Sequence, residues 1–382
     1  MMTVLPAPGA PVNMYLRNLP GSANVSSTLR FPFSVSIAKP LQPRRNDILR
    51  GELANDSQTG GILIVRLGAM GDIIHTLPAV ASLKHAFPAR PLTWVVEPRW
   101  QPLLESNPFV DRVVLLDRRT AAGLALAWRE LRAARFDFAV DFQGLIKSAI
   151  TASVARADRI YGFDRSLARE PLSAVFYSDE VSARAVHRVD RNLELAAAAG
   201  AFTTLRVFPL PPGRAEGALP DGAFVLASPL SGWPAKQWPL DYYARLAGRL
   251  RRESGVPLVL NGPPSARETL AGVAHTSLHL SSIAGLIHAT RRAAAVVGVD
   301  SGPLHVAAAL SKPGVAIFGP TDPAQTGPYG GSLAVLRDPH AITSYKRRGE
   351  IDAGMRAITP DAVFEALQAQ LARRNHPADC LA

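Results

Sequence analysis

Apolar and polar positions fall into alternating blocks from Gly61 onward. Ile62-Leu63-Ile64-Val65 is an uninterrupted apolar run, as expected of a strand covered on both faces. A turn, Gly68-Ala69-Met70-Gly71, follows, and then Ile73, Ile74, Leu77, Val80, Ala81 and Leu83 recur at helical spacing. Further strands are expected at 92–96, 113–116 and 138–142, with helical stretches between them, and 187–201 reads as an amphipathic helix. Residues 202–219 are proline-rich and lack a period, which places a domain boundary near 205–220. The second half repeats the logic: strands at 224–227, 256–260, 296–299 and 315–318, a helix at 242–252 and a final helix at 360–373. Strands alternating with helices predict parallel sheets covered by helices. The fold class is therefore α/β, with two Rossmann-like domains facing across a cleft, at 60–205 and 220–359, and a C-terminal helix and tail at 360–382.

Residues 1–59 do not share this pattern. They hold scattered prolines, the pair Arg44-Arg45 and stretches rich in Asn and Ser, and are expected to be a dispensable or disordered extension. No apolar run reaches the ~18 residues of a membrane helix, and no secretory signal is evident. The single cysteine, Cys380, cannot form an internal disulfide, and no metal-ligand or redox spacing is present, so neither a metal nor a cofactor is expected. The net charge of +11 favours anionic partners. Nucleic acid is the weaker candidate, because no helix-turn-helix, zinc-finger or RNA-binding signature accompanies the charge.

The chemistry concentrates after strands. Arg66 to His75 opens a helix at the carboxyl end of the first strand, where open α/β sheets bind ligands. Gly71, Asp72 and His75 lie within it, and Asp72 is either a helix cap or a base. Its glycines do not fit the dinucleotide fingerprint. Ser231, Gly232 and Lys236 follow the first strand of the second half, where small residues can cradle phosphate and a lysine can neutralise it. Asp300-Ser301-Gly302-Pro303-Leu304-His305 makes a turn into a helix with proline suited to its first position, a ready anion site. Phe318 to Pro323 closes another strand at the same edge.

In their joint order these stretches resemble glycosyltransferase family 9, the lipopolysaccharide heptosyltransferases. They are Gly71 to Ala79, Asp141 to Ala149, Arg169-Glu170-Pro171-Leu172, Lys236-Gln237-Trp238-Pro239, Asp300 to His305 and Phe318 to Pro323. The resemblance covers about 61–374 and is nearest to the heptosyltransferase I branch, which adds the first heptose to the inner-core Kdo sugar. It implies a GT-B fold and an inverting, metal-independent transfer of heptose from ADP-heptose to the Kdo of lipid A. By resemblance Asp72 is the catalytic base. Ser231, Gly232, Lys236, Asp300, Ser301, Gly302, Pro303 and His305 bind the nucleotide-sugar donor. Gly71, His75, Arg118, Arg119, Gln143, Lys147 and Arg169 bind an anionic, lipid-linked acceptor. The resemblance places the protein in the cytoplasm, peripheral on the inner face of the bacterial inner membrane. Two departures stand out: a hydroxyl of the donor loop is replaced by Gly232, and an acidic residue near the ribose falls at Ala266, with Glu268 only nearby. The alternatives are heptosyltransferase II, another sugar transferase of the family, or a nucleotide-sugar epimerase of the same fold.

Overall fold

A computed structural model describes residues 60–375; Cys380 and the N-terminal extension lie outside them. The first half runs β1 (Gly61–Val65), α1 (Met70–Ala86), β2 (Leu92–Val96), β3 (Arg112–Leu115), α2 (Ala121–Ala133), β4 (Phe136–Asp141), α3 (Ile146–Val154), β5 (Arg159–Phe163), β6 (Asp179–Val181) and α4 (Arg188–Ala198). The second half runs β7 (Val225–Ser228), α5 (Leu240–Ser254), β8 (Leu258–Gly262), α6 (Arg267–Ala271), β9 (Thr276–Leu280), α7 (Ile283–Arg292), β10 (Ala295–Val299), α8 (Gly302–Ala309), β11 (Gly314–Phe318), α9 (Pro323–Thr326), β12 (Leu333–Arg337), α10 (Ala353–Ala357) and α11 (Pro360–Asn375).

Each half is a six-stranded sheet, in the order β3-β2-β1-β4-β5-β6 and β12-β11-β10-β7-β8-β9. Every strand pair is parallel. Counted within its own half, the second sheet has the same 3-2-1-4-5-6 order as the first, that of the doubly wound fold. In that order the chain reverses direction across the sheet between the first and fourth strands, and the loops that leave those strands splay apart to open a crevice. β1, β4, β7 and β10 flank these two points, so the sequence that follows them forms the site.

Helices cover both faces of the sheets, so β1, β2, β7, β8, β10 and β11 are buried throughout and predominantly apolar. Four strands beyond the expected set, β5, β6, β9 and β12, extend the sheets outward from these centres. The segment 201–224 is irregular but is pinned along its first half. Leu205 N donates to Ser82 Oγ at 2.9 Å, while Arg291 Nη2 donates to the carbonyls of Leu210 and Pro211 at 2.8 and 3.0 Å. The final helix, α11, packs on α5, β11 and β12, which makes it part of the second half.

α1 crosses α8 at the joint between the halves. Two glycines permit the close approach. A Cβ on Gly71 would lie 2.4 Å from His305 Cδ2, and one on Gly302 would lie 2.5 Å from Met70 Sδ. His75 Nε2 and His305 Nδ1 then meet at 3.2 Å.

Candidate active site

β1 ends at Val65 and delivers Arg66 to the base of the crevice. Arg66 is buried; its Nη1 donates to Phe142 O and its Nη2 sits 2.8 Å from Asp72 Oδ1. Asp72 lies in the first turn of α1, a favourable place for a carboxylate. Its other oxygen faces Arg169 Nη2 at 3.2 Å and accepts weakly from Ala69 N at 3.4 Å. Burial alone would raise the Asp72 pKa, but Arg66, then Arg169 and Arg188, outweigh it and hold the carboxyl well below the usual range. Asp72 is therefore ionised throughout the neutral range.

The supporting frame comes from β4. Asp141 is fully buried at its end and accepts Gln143 N at 2.8 Å, Ser148 Oγ at 2.7 Å and Tyr177 OH at 2.8 Å. Gly144 turns the chain with φ +66, a conformation that favours glycine. Gln143 Oε1 accepts from Leu67 N at 3.1 Å, so this side chain holds the Asp72 loop in place. The Arg169-Glu170-Pro171-Leu172 motif has a similar task. Glu170 Oε2 accepts Ile146 N at 2.7 Å at the start of α3, and Glu170 N donates to Gly144 O at 3.0 Å, which sets Arg169 beside Asp72.

Across the crevice, β10 delivers Asp300, which is 7% exposed. Its Oδ2 accepts Lys236 Nζ at 2.6 Å and Thr321 Oγ1 at 2.7 Å, and its Oδ1 lies 3.7 Å from His305 Nε2. Burial pushes this carboxyl up, but His305 and Lys236 overcome it and hold it well below the usual range. Lys236 also stacks on the Trp233 ring, 4.4 Å from its centroid. Asp300 thus aims a lysine and a threonine at the crevice. The Ser301 hydroxyl is buried without a hydrogen-bond partner, beside the N-terminus of α8.

Asp72, His75, Gly71, Arg118, Gln143, Lys147, Arg169, Lys236, Asp300, Ser301, Gly302 and His305 all line one cleft of about 580 Å³. Four residues expected at the site are placed otherwise. Arg119 is exposed and bound to its neighbour Asp117 at 3.0 Å. The Ser231 hydroxyl donates to Trp233 O at 2.7 Å and so closes its own turn, while Gly232 faces open space. Pro303 occupies the first turn of α8, where its missing N–H costs nothing. Gly71 and His75 line the cleft but are chiefly packing residues of the joint. Burial, then His305, holds the His75 pKa well below its usual value, so this imidazole is neutral. Glu268 is exposed and Ala266 buried, so neither places a carboxylate in the cleft. Thr321, from the Phe318 to Pro323 stretch, also lines the cleft, and so do Arg188, Tyr345 and Arg347, which lie outside the stretches singled out from the sequence.

The family model of glycosyltransferase family 9 (heptosyltransferase) matches residues 125–351. The chain belongs to glycosyltransferase family 9. The lipopolysaccharide heptosyltransferase 1 of Pseudomonas aeruginosa is 33% identical over 300 residues, covering 72% of this chain and 83% of that protein. The Escherichia coli heptosyltransferase WaaC with ADP superposes with a TM-score of 0.66 at 28% identity, covering 81% of this chain and 99% of that one. The same enzyme with ADP-2-deoxy-2-fluoro heptose gives 0.64 at 28% identity, covering 82% and 99%. The protein is thus a glycosyltransferase with the GT-B architecture, two Rossmann-like halves around one cleft.

Proposed function

We propose that the protein transfers heptose from ADP-heptose to the Kdo sugar of the lipopolysaccharide inner core, with inversion at the anomeric carbon. The observation that carries this reading is the opposition across one cleft of the ionised carboxylate of Asp72 and an anion-binding face made of Lys236, Ser301 and the start of α8, where the cleft's other buried carboxylate, Asp300, is already bound to Lys236 and Thr321. A diphosphate is already a good leaving group and needs only charge neutralisation as it departs, which a lysine and a helix N-terminus provide. The acceptor hydroxyl must lose a proton as it attacks the anomeric carbon from the opposite face, and one carboxylate can take it. The proton passes from the hydroxyl to Asp72 Oδ2, the new C–O bond forms, and the bond to the diphosphate oxygen breaks. The donor assignment draws on the ADP and ADP-2-deoxy-2-fluoro heptose complexes of the E. coli relative.

The acceptor side of the cleft carries Arg118, Lys147 and Arg169, which suit an anionic acceptor. Beside Arg169, the short 3-10 helix Pro171–Phe176 exposes Leu172 at 68% and Val175 at 65%, apolar side chains that favour a peripheral seat on a membrane. No described helix is long and apolar enough to cross a membrane. The deciding experiment is mass spectrometry of the product formed from ADP-heptose and a Kdo-bearing lipid A. The lipid should gain the mass of one heptose; release of free heptose without transfer, or no reaction, overturns the reading. For the membrane seat, Leu172→Glu together with Val175→Glu should lower flotation with anionic liposomes. Unchanged flotation removes that part of the proposal.

A further inference from the structure

Between β12 and α10 the chain runs without regular structure over residues 338–352, and it is tied to the loops that carry Thr321 and Lys236. On one side, Arg337 Nη2 donates to Thr343 Oγ1 at 2.7 Å, and Ser344 N donates to Pro320 O at 2.7 Å, next to Thr321. On the other, Asp352 N donates to Ala235 O at 3.2 Å, next to Lys236. Between these tethers lie three consecutive cations, Lys346, Arg347 and Arg348. Tyr345 and Arg347 line the cleft, whereas Lys346 and Arg348 do not.

A run of exposed cations in a loop is ordinarily a solvated surface. Two observations set Arg347 apart. Its Cζ lies 5.4 Å from the centroid of the Trp233 ring, the same ring that holds Lys236 Nζ at 4.4 Å. Its guanidinium has neither a hydrogen bond nor an ion pair among the described residues, so its N–H donors are free while the ring fixes its place.

The charge balance of this side of the cleft has room for such a group. Lys236 is bound to Asp300 at 2.6 Å and Asp300 is ionised, so the pair is close to neutral as a unit. Of the Lys and Arg side chains that line the cleft from the second half, this leaves Arg347. A diphosphate carries more than one negative charge and gains another as the sugar leaves it, while the start of α8 supplies only a partial positive charge. Arginine forks match phosphate oxygens through two parallel hydrogen bonds.

We propose that Arg347 is a second cation on the donor diphosphate, carried over Trp233 by the 344–352 loop and placed to take up the charge that builds on the departing group. That the diphosphate belongs to ADP-heptose rests on the function proposed above; the fit of Arg347 to a diphosphate does not depend on the base or sugar attached to it.

The test titrates ADP and, separately, inorganic pyrophosphate into the full-length protein by calorimetry. Arg347→Gln should weaken both by about three- to tenfold, the scale of a charge-assisted hydrogen bond reduced by exposure. Arg347→Lys keeps the charge but loses the fork, and should recover part of the loss. Lys346→Gln removes the same charge from the neighbouring side chain outside the cleft, and should stay within about twofold of wild type. The ligand-free melting temperature should not change in any of the three, because neither side chain bonds to the fold. Unchanged affinity in Arg347→Gln, equal losses in Arg347→Gln and Lys346→Gln, or a ligand-free melting temperature that falls in Arg347→Gln alone overturns the proposal. A wild-type protein that binds pyrophosphate through Arg347 but does not bind ADP would instead count against the donor named above and leave the role of Arg347 standing.

Discussion

Asp72 Oδ1 and Arg66 Nη2 meet at 2.8 Å, and Arg66 is almost wholly shielded from water. The pairing keeps Asp72 ionised and directs its second oxygen toward the cleft. Asp72→Asn preserves the shape and removes the proton acceptor. Turnover should fall by about 10² to 10⁴, the range of general-base loss, while ADP affinity in calorimetry stays within about twofold of wild type. Near-normal turnover would reduce Asp72 to a helix-start residue that partners Arg66.

The ionisation of Asp72, Asp300 and His75 sets how stability varies with pH. An aspartate with a depressed native pKa stabilises the fold above its unfolded value of ~3.9 and loses that contribution as pH falls through the native value. Asp72 and Asp300 therefore contribute fully above about pH 4 and lose that contribution progressively below it, as pH falls toward their depressed native values. A histidine with a depressed native pKa acts in the opposite sense: below ~6.5 the unfolded chain gains a proton that the native site refuses. His75 and His187 are both of this kind. Melting temperature should decline from about pH 6.5 toward 5, and His75→Gln should flatten part of that decline. An identical slope in the variant would mean that His75 titrates alike in both states.

Gly71 offers a check on the joint. A methyl group there would meet His305 at 2.4 Å, a distance that forces His305 or α8 to move. Gly71→Ala should destabilise the protein by about 1–3 kcal/mol, the usual cost of overpacking, and should disturb the His305–Asp300–Lys236 chain. Thermal melting and ADP affinity should both fall. If both are unchanged, the two halves sit further apart in solution than this packing implies.

Much of this architecture was legible because buried parallel strands are unbroken apolar runs. Ile62 to Val65 and Val296 to Val299 could hardly be anything else, and the loops after them hold Asp72 and Asp300. The four extra strands were hidden for a physical reason. β9 alternates His279, buried and bound to Asn261, with more exposed neighbours, and β6 is three residues long. Edge strands lack the two covering layers that write a continuous apolar signal. In the site, Asp72 and Lys236 could be found from position and resemblance. Arg188 could not, because a charge on one face of an amphipathic helix looks the same whether that face meets water or a cleft. Arg66 did leave a trace, a lone charge between Val65 and Leu67 in an otherwise buried run.

Lys236 is the donor-side counterpart of Asp72. Its ammonium is held between Asp300 and the Trp233 ring, so little ordering remains when a diphosphate arrives. Lys236→Ala should weaken ADP binding about 10- to 100-fold, the scale of a charge-assisted hydrogen bond. Asp300→Asn should produce a smaller loss in the same direction by releasing Lys236. Unchanged ADP affinity in Lys236→Ala would place the diphosphate elsewhere along the cleft.

Neighbouring Arg118 and Arg119 give the sharpest contrast on the acceptor side. Arg118 is tethered by Glu97 and lines the cleft, whereas Arg119 is 84% exposed on its side chain and bound to Asp117 beside it. The acceptor's anionic groups approach through the cleft, so Arg118 can meet them and Arg119 can act only through solvent. An exposed charge pair is worth about 0.2–1 kcal/mol, which amounts to an acceptor KM raised up to about fivefold in Arg118→Glu. Arg119→Glu should stay within about twofold of wild type, and neither change should affect ADP affinity. Exposed charges are screened beyond about 8 Å in 0.15 M salt, so the Arg118 effect should shrink as salt rises. Equal effects of the two reversals would mean that the acceptor senses the net charge of this loop rather than a guanidinium placed in the cleft.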